Sequence, residues 1–193
     1  RSFLALAVLT AGSAFAASPT PAVTSVIPAN AAGALIINNL KDFSTKVSNM
    51  AVRLNIAKRY GMPVPPDLAS YLARIVGVTQ GLDTSGSAAV VVMKPAGEHP
   101  TWGDFKDAFI ILLPTTDADT FMSGWTPGAP DTQGIREVTF SNGEKGYAAV
   151  IDKKWIAVQA TRESLEQYLK RTGPALDQSA AVIKAVDDND LTL

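Results

Sequence analysis

The stretch IREVTFSNGEKGYAAVIDKKWIAVQA, residues 135–160, sets the expected fold class. Its Asn142–Gly143 pair is the strongest short-range signal for a β-hairpin, because a type I′ turn requires a positive φ at both central residues. The pair joins a strand over residues 135–141 to a strand over residues 144–151, and a second turn leads into a strand over residues 155–160. We therefore predict an antiparallel meander in this part of the chain.

Three apolar runs before the meander are also predicted to be strands, because each is short and bounded by turn residues. They cover residues 33–38, 88–93 and 108–113. Amphipathic spacing predicts a helix carrying Phe43, Val47, Met50, Leu54 and Ala57. Further helices are expected after Asp67, after Thr116 or Asp117, after Thr161, and over residues 180–186. This order predicts an α+β fold, a mainly antiparallel sheet of about six strands with helices packed on one face.

Residues 1–16 have the pattern of a secretory signal peptide. Arg1 precedes an apolar run, and Ala14-Phe15-Ala16 fits the small-residue site that signal peptidase cleaves. The run is too short to span a bilayer, which takes about 20 residues. Directly after the cleavage site, where a lipoprotein would have a cysteine, this chain has Ala17. We therefore predict an exported protein, periplasmic or extracellular, with no membrane span in the mature chain.

The rest of the chain is predicted to form one domain. Residues 17–30 are rich in alanine, serine, threonine and proline, which is typical of a linker, and residues 31–190 are predicted to form a single α+β domain. Residues 191–193 follow a polar turn and are predicted to begin a second, similar unit. The alternative is that they complete the domain's own sheet as a short edge strand.

The composition indicates a globular domain: 47% of the 193 residues are hydrophobic and 18% are charged. The formal net charge is −1 and no cluster of lysine and arginine is present, so a nucleic-acid partner is not expected. The chain has no cysteine. An exported domain of this size tolerates that absence, because it can build a sizeable core without disulfides.

Most familiar catalytic and metal-binding motifs are missing from the sequence. His99 is the only histidine, and without cysteine it cannot complete a structural zinc site. His99 lies in a Pro/Gly-containing loop, where we expect an exposed side chain rather than a catalytic base. No serine has a lysine three residues later, and no Gly-x-Ser-x-Gly is present. Residues 81–87 have the glycine spacing of a phosphate loop, but Ser87 replaces the lysine and a strand follows, so a turn is predicted.

Carboxylate pairs are the remaining catalytic option. Asp104 and Asp107 lie just before a predicted strand. Asp117 and Asp119 lie at the start of a predicted helix, where the helix dipole favours acidic residues, so their position needs no catalytic explanation. The acidic run at residues 187–190 lacks the glycine and the distal glutamate of an EF-hand loop, so a calcium site is not predicted. We predict no metal and no cofactor.

Two tryptophans in predicted loops, Trp102 and Trp125, are the candidate binding residues. Exposed aromatic side chains bury a large area at low entropic cost when they contact a ligand or a partner. The alternative is that each indole folds back over the edge of the core.

Four segments together resemble exported bacterial proteins that are catalogued only as a domain of unknown function. They are GALIINNLKDF at 33–43, GLD at 81–83, LLPTTD at 112–117 and IAVQATRESL at 156–165. The resemblance covers most of residues 30–193 and implies an exported α+β domain, but it implies no catalytic residue. We therefore expect a non-catalytic exported domain that acts by binding, or as part of a cell-envelope or surface assembly, with an unidentified envelope component as partner. The alternative is a carboxylate-dependent hydrolase of an envelope polymer that uses Asp104 or Asp107.

Overall fold

The structure, a computed structural model, describes residues 22–61, 64–75, 77–78, 80–93, 108–170, 175–176 and 191–192. A 3₁₀ helix covers Ala22–Val26. The α-helices are α1 (Leu40–Arg53), α2 (Ile56–Tyr60), α3 (Leu68–Ile75), α4 (Ala118–Met122) and α5 (Arg162–Leu169). The strands are β1 (Gly33–Ile37), β2 (Ala88–Val92), β3 (Phe109–Pro114), β4 (Thr126–Pro127), β5 (Arg136–Thr139), β6 (Lys145–Ile151), β7 (Trp155–Gln159) and β8 (Leu191–Thr192). The predicted helix over residues 180–186 lies outside the described residues.

The strands form one sheet in the order β4-β5-β6-β7-β3-β2-β1-β8, and every described pair is antiparallel. The α+β class and the antiparallel meander are therefore confirmed. All six predicted strands form, and the two additional strands, β4 and β8, have two residues each. The pairing of β3 with β7 joins the meander β1-β2-β3 to the meander β4-β5-β6-β7.

The two hairpin turns of the second meander differ from the predicted turn chemistry. At the first turn only Gly143 has a positive φ, 82°, and its N–H donates to the carbonyl of Phe140. This is a turn closed by a left-handed glycine rather than a type I′ turn. Positive φ at both central residues occurs instead at Asp152 (49°) and Lys153 (59°), between β6 and β7.

The two faces of the sheet are covered differently. We call one the closed face; it contains Ile36, Ala89, Val91, Ile110, Leu112 and Ala157. Residues 22–27 and α5 pack on it. We call the opposite one the open face; it contains Leu35, Val90, Ile111, Leu113, Ile156 and Val158. Helices α3 and α4 pack on the open face, so the prediction that all helices lie on one face is wrong.

The predicted linker is also wrong in its second half. Val23, Val26 and Ile27 are fully buried in the closed-face core, and the Tyr168 hydroxyl donates to the Val26 carbonyl at 2.7 Å. These apolar side chains leave water when they pack under α5, which stabilises an ordered segment in a Pro/Ala-rich stretch. Residues 1–16, the predicted signal peptide, and residues 17–21 lie outside the described residues.

The end of the chain pairs with the domain's own sheet. Leu191 is opposite Ile37 and Thr192 is opposite Ile36, so β8 is an edge strand next to β1. An edge strand of this kind is the arrangement that the alternative prediction described.

The predicted helix through Ala57 forms as two helices, because α1 ends at Arg53 and Ala57 lies in α2, and α1 does not bury the expected stripe. Ser44 and Ser48 are its buried residues, whereas Met50 is 54% exposed and Leu54, just after the helix, is 50% exposed. The buried serines face the start of α3: the Ser48 hydroxyl donates to the Pro65 carbonyl at 2.8 Å. Polar contacts between two helices therefore set the orientation of α1, and its apolar stripe remains only partly covered.

Candidate functional site

The expected exposed aromatic at Trp125 is not found, because this side chain is only 6% exposed. Its indole makes edge-to-face contacts with Phe121 and Phe140, with ring centroids 5.4 Å and 5.1 Å away. Such contacts add to the stability that burial gives. Trp125 is therefore a core residue between α4 and the sheet, which is the alternative stated above. Trp102 lies outside the described residues.

The other candidate catalytic and metal-binding residues, His99, Asp104, Asp107 and residues 187–190, also lie outside the described residues. Among the residues that are described, no group of three or more possible metal ligands is present. In the same part of the chain, no helix has the length and hydrophobicity needed to cross a bilayer.

Asp117 is a helix cap, as its position predicted. Its carboxylate accepts from the Thr120 N–H at 2.6 Å, and this backbone hydrogen bond lowers the pKa of Asp117 below its usual value. Residues 81–86 form the predicted turn, in which the Gly86 N–H donates to the Asp83 carbonyl. Neither feature brings reactive groups together.

Within the part of the chain that the structure describes, an apolar groove on the open face has the geometry of a binding site. It is a cavity of about 260 Å³ between α3, α4, β3 and the start of α1. We call it the apolar groove; its described lining residues are Leu40, Ala69, Ala73, Val78, Leu82, Ile111, Leu113 and Phe121. Every one of these side chains is apolar, and Ile111 is 43% exposed although it lies in a central strand.

Among the described residues, two small side chains of α3 face the groove and leave space in it. Ala69 and Ala73 are one helical turn apart on the same side of α3, and both line the cavity opposite Ile111 and Leu113. A leucine at either position would project into the space that these alanines leave. The cavity therefore follows from the choice of residues on α3.

Asp67 and Ser44 hold α3 in this position. The Asp67 carboxylate accepts from the Ser70 N–H at 3.1 Å and from the Ser70 hydroxyl at 2.5 Å, which caps the N-terminus of α3. The Ser44 hydroxyl of α1 donates to Asp67 at 3.0 Å and accepts from the Ala69 N–H at 2.9 Å. The Ser70 hydroxyl contributes most to a lowered pKa of Asp67, and the Ser70 N–H and Ser44 hydroxyl lower it further.

Gly81 forms a close contact that shapes the far side of the groove. Its φ is +76°, and a Cβ there would lie 2.5 Å from the backbone nitrogen of Phe121. Its carbonyl accepts from the Thr115 hydroxyl at 2.7 Å and from the Thr116 N–H at 2.9 Å. Because only glycine fits both the conformation and the space, residues 81–82 can lie directly against α4.

A polar compartment adjoins the apolar groove. It is a cavity of about 410 Å³ that shares Ala73, Val78 and Leu82 with the groove. We call it the polar compartment; its other described lining residues are Ser70, Arg74, Gln80, Gly81 and Thr84. It therefore contains one cation, hydroxyl groups and an amide, and none of its described lining residues is a carboxylate.

The sequence alone does not reveal this site. It predicts a helix after Asp67, and the alanines at positions 69 and 73 carry no signal of a cavity. One signal was present: a strand as uniformly apolar as residues 108–113 predicts a sheet that is covered on both faces. The structure leaves one of those faces partly uncovered.

Comparisons with known proteins give no match: no family model fits the chain, and no curated protein or solved structure is similar to it.

Proposed function

We propose that this chain is a non-catalytic exported domain that acts by binding, and that it binds an apolar ligand in the apolar groove. The observation that carries the proposal is the cavity of about 260 Å³ whose described lining is wholly apolar. Small-molecule sites are typically concave, mostly apolar and about 300–1,000 Å³ in volume. The groove is close to the lower end of that range, and the polar compartment extends it.

The energetics of packing support a binding role for the groove. Unfilled apolar space in a protein costs stability, because the atoms that line it lose contacts on one side. Here the space lies against Ala69 and Ala73, the smallest apolar side chains that have a Cβ atom. Binding of an apolar ligand in an open apolar cavity is favourable, because it removes apolar surface of the ligand and of the cavity from water.

The proposed location and partner rest on the sequence. The pattern of residues 1–16 supports export to the periplasm or the cell exterior. The resemblance to exported bacterial domains of unknown function supports a role at the cell envelope, with an envelope component as the source of the ligand. The alternative hydrolase depends on Asp104 or Asp107 together with a neighbouring acid. Both residues lie outside the described residues, and no observation on the described residues favours this alternative.

The test is a fluorescence titration with N-phenyl-1-naphthylamine, a neutral apolar probe that becomes bright in apolar sites. We expect the probe to bind the wild-type domain, and Ala69→Leu to weaken binding by about tenfold or more because the leucine occupies the groove. Since filling a cavity often stabilises a protein by about 0.5–2 kcal/mol, the same variant should unfold at an equal or higher temperature. Loss of binding without loss of stability separates groove filling from unfolding.

Ala57→Leu is the matched control, because Ala57 is exposed on α2, away from the groove lining. It should bind the probe as wild type does. If Ala69→Leu is too large for the site and unfolds the domain, Ile111→Gln gives the second test, since Ile111 is 43% exposed and tolerates a polar side chain. Undiminished binding by Ile111→Gln, or no binding by wild type, contradicts the proposal.

A further inference from the structure

We propose that the ligand is a single-chain amphiphile with an anionic head group, and that Arg74 binds the head group while the chain lies in the apolar groove. This inference rests on the proposed function and specifies the chemistry of the ligand. Three observations carry it: the continuity of the two cavities, the charge of the polar compartment, and the volume of the groove.

The two cavities are continuous along one helix. Ala73, Val78 and Leu82 belong to the lining of both. On α3, Ala69 and Ala73 face the apolar groove, and Ser70 and Arg74 are the next residues along, so they form a parallel row that faces the polar compartment. A ligand that lies across this boundary therefore contacts an apolar row and a polar row at once.

The polar compartment favours a negative charge. Arg74 is exposed, and no ion pair to it is present among the described residues. Gln80 and Thr84 add an amide and a hydroxyl group to the same lining, whereas the Ser70 hydroxyl already donates to Asp67. A guanidinium binds a carboxylate or phosphate through two parallel N–H···O hydrogen bonds, which gives both affinity and orientation. This local charge contrasts with the formal net charge of −1 of the whole chain.

The size of the groove indicates one chain of modest length. A methylene group has a volume similar to that of a water molecule, about 30 Å³. A cavity of about 260 Å³ then holds roughly nine carbons of a single chain. Two chains side by side would exceed it.

The experiment compares three ten-carbon amphiphiles that share a chain and differ in head group: decanoate, decanol and decyltrimethylammonium. Each displaces N-phenyl-1-naphthylamine from the wild-type domain, at concentrations below its critical micelle concentration. We expect decanoate to displace the probe at a roughly five- to tenfold lower concentration than the other two, because only decanoate pairs with Arg74. Arg74→Gln should remove this preference and leave displacement by decanol unchanged.

Arg53→Gln, in the last turn of α1 and outside both linings, is the charge-matched control and should keep the preference. Equal displacement by all three amphiphiles, or an unchanged preference in Arg74→Gln, overturns the inference about the head group. The proposed function still stands in that case if the wild-type domain binds the probe. Absence of probe binding to wild type overturns both. A series of alkanoates that keeps gaining affinity well beyond ten carbons contradicts the assigned chain length.

Discussion

The closed face and the open face are built from alternate residues of the same strands, yet only one of them is fully covered. On β3, Ile110 and Leu112 are fully buried on the closed face, whereas Ile111 between them is 43% exposed on the open face. The exposed large hydrophobic residues of the described chain are Met50, Val52, Leu54, Tyr71, Phe109, Ile111 and Val150. The three strand residues point to the open face, and the others lie on or beside α1 and α3.

The difference lies in the elements that cover each face. Residues 22–27 and α5 bring large apolar side chains to the closed face, including Ile27, Leu165 and Tyr168. On the open face, α3 contributes alanines, and α1 contacts α3 through buried serines. Exposed apolar surface of this kind commonly marks a place where another molecule binds. The closed face therefore supplies stability, and the open face holds the proposed site.

The largest expected loss of stability comes from a substitution on the closed face, and the neighbouring residue on the open face gives the comparison. Ile110→Ala should lower the free energy of unfolding by about 2–5 kcal/mol, because it deletes buried methyl groups and leaves a cavity in the closed-face core. Ile111→Ala removes the same atoms from a half-open site and should cost about 1 kcal/mol. Urea unfolding of both variants gives the comparison. Equal losses at the two positions would mean that the open face is as well packed as the closed face.

A smaller effect is expected at the hydroxyl that ties residues 22–26 to the closed face. Tyr168→Phe removes the 2.7 Å hydrogen bond to the Val26 carbonyl and keeps the ring, so it should cost about 1 kcal/mol. Tyr71→Phe on α3 is the matched control, because Tyr71 is 45% exposed, and it should change stability by less than about 0.5 kcal/mol. Thermal unfolding measures both. A neutral Tyr168→Phe would show that packing alone holds the segment.

The strands and most helices could be predicted because their signals are local. Alternating or continuous apolar runs and flanking turn residues predict six strands. Position alone predicts Asp67 as a cap and narrows the next cap to Thr116 or Asp117, of which the structure shows Asp117. The turn conformations could not be predicted so well. Lys153 has a positive φ, which is uncommon for its residue type, and the paired ends of β6 and β7 impose it.

The apolar groove could not be predicted, since it depends on tertiary placement. No local pattern shows that the alanines of α3 will face Ile111, or that buried serines will orient α1. The same reason explains the error at Trp125. A tryptophan in a predicted loop is expected to be exposed. Trp125 is buried because the packing of α4 on the sheet brings Phe121 and Phe140 into contact with it.

The smallest predicted effect concerns Asp67, which holds α3 over the open face, and it is visible in the pH dependence of stability. The pKa of Asp67 is lowered in the folded state below its ordinary value of 3.8, mainly by the hydrogen bond from the Ser70 hydroxyl. A lowered folded-state pKa contributes stability that is complete above the unfolded-state pKa and is lost as the pH falls through the folded-state pKa.

Asp67→Asn keeps an N-cap but cannot ionise, so at about pH 6 it should cost less than about 1 kcal/mol. Urea unfolding at about pH 6 and about pH 3 should show a smaller drop for Asp67→Asn than for wild type, with Ser70→Ala in between. Other carboxylates, including Asp117 and Glu166, also have a lowered pKa, so the wild-type drop is larger than the share of Asp67, and the difference between the variants is the quantity to measure. Identical drops in wild type and Asp67→Asn would show that the negative charge of Asp67 does not help to hold α3, and that neutral capping hydrogen bonds and packing on the open face suffice to keep the groove in shape.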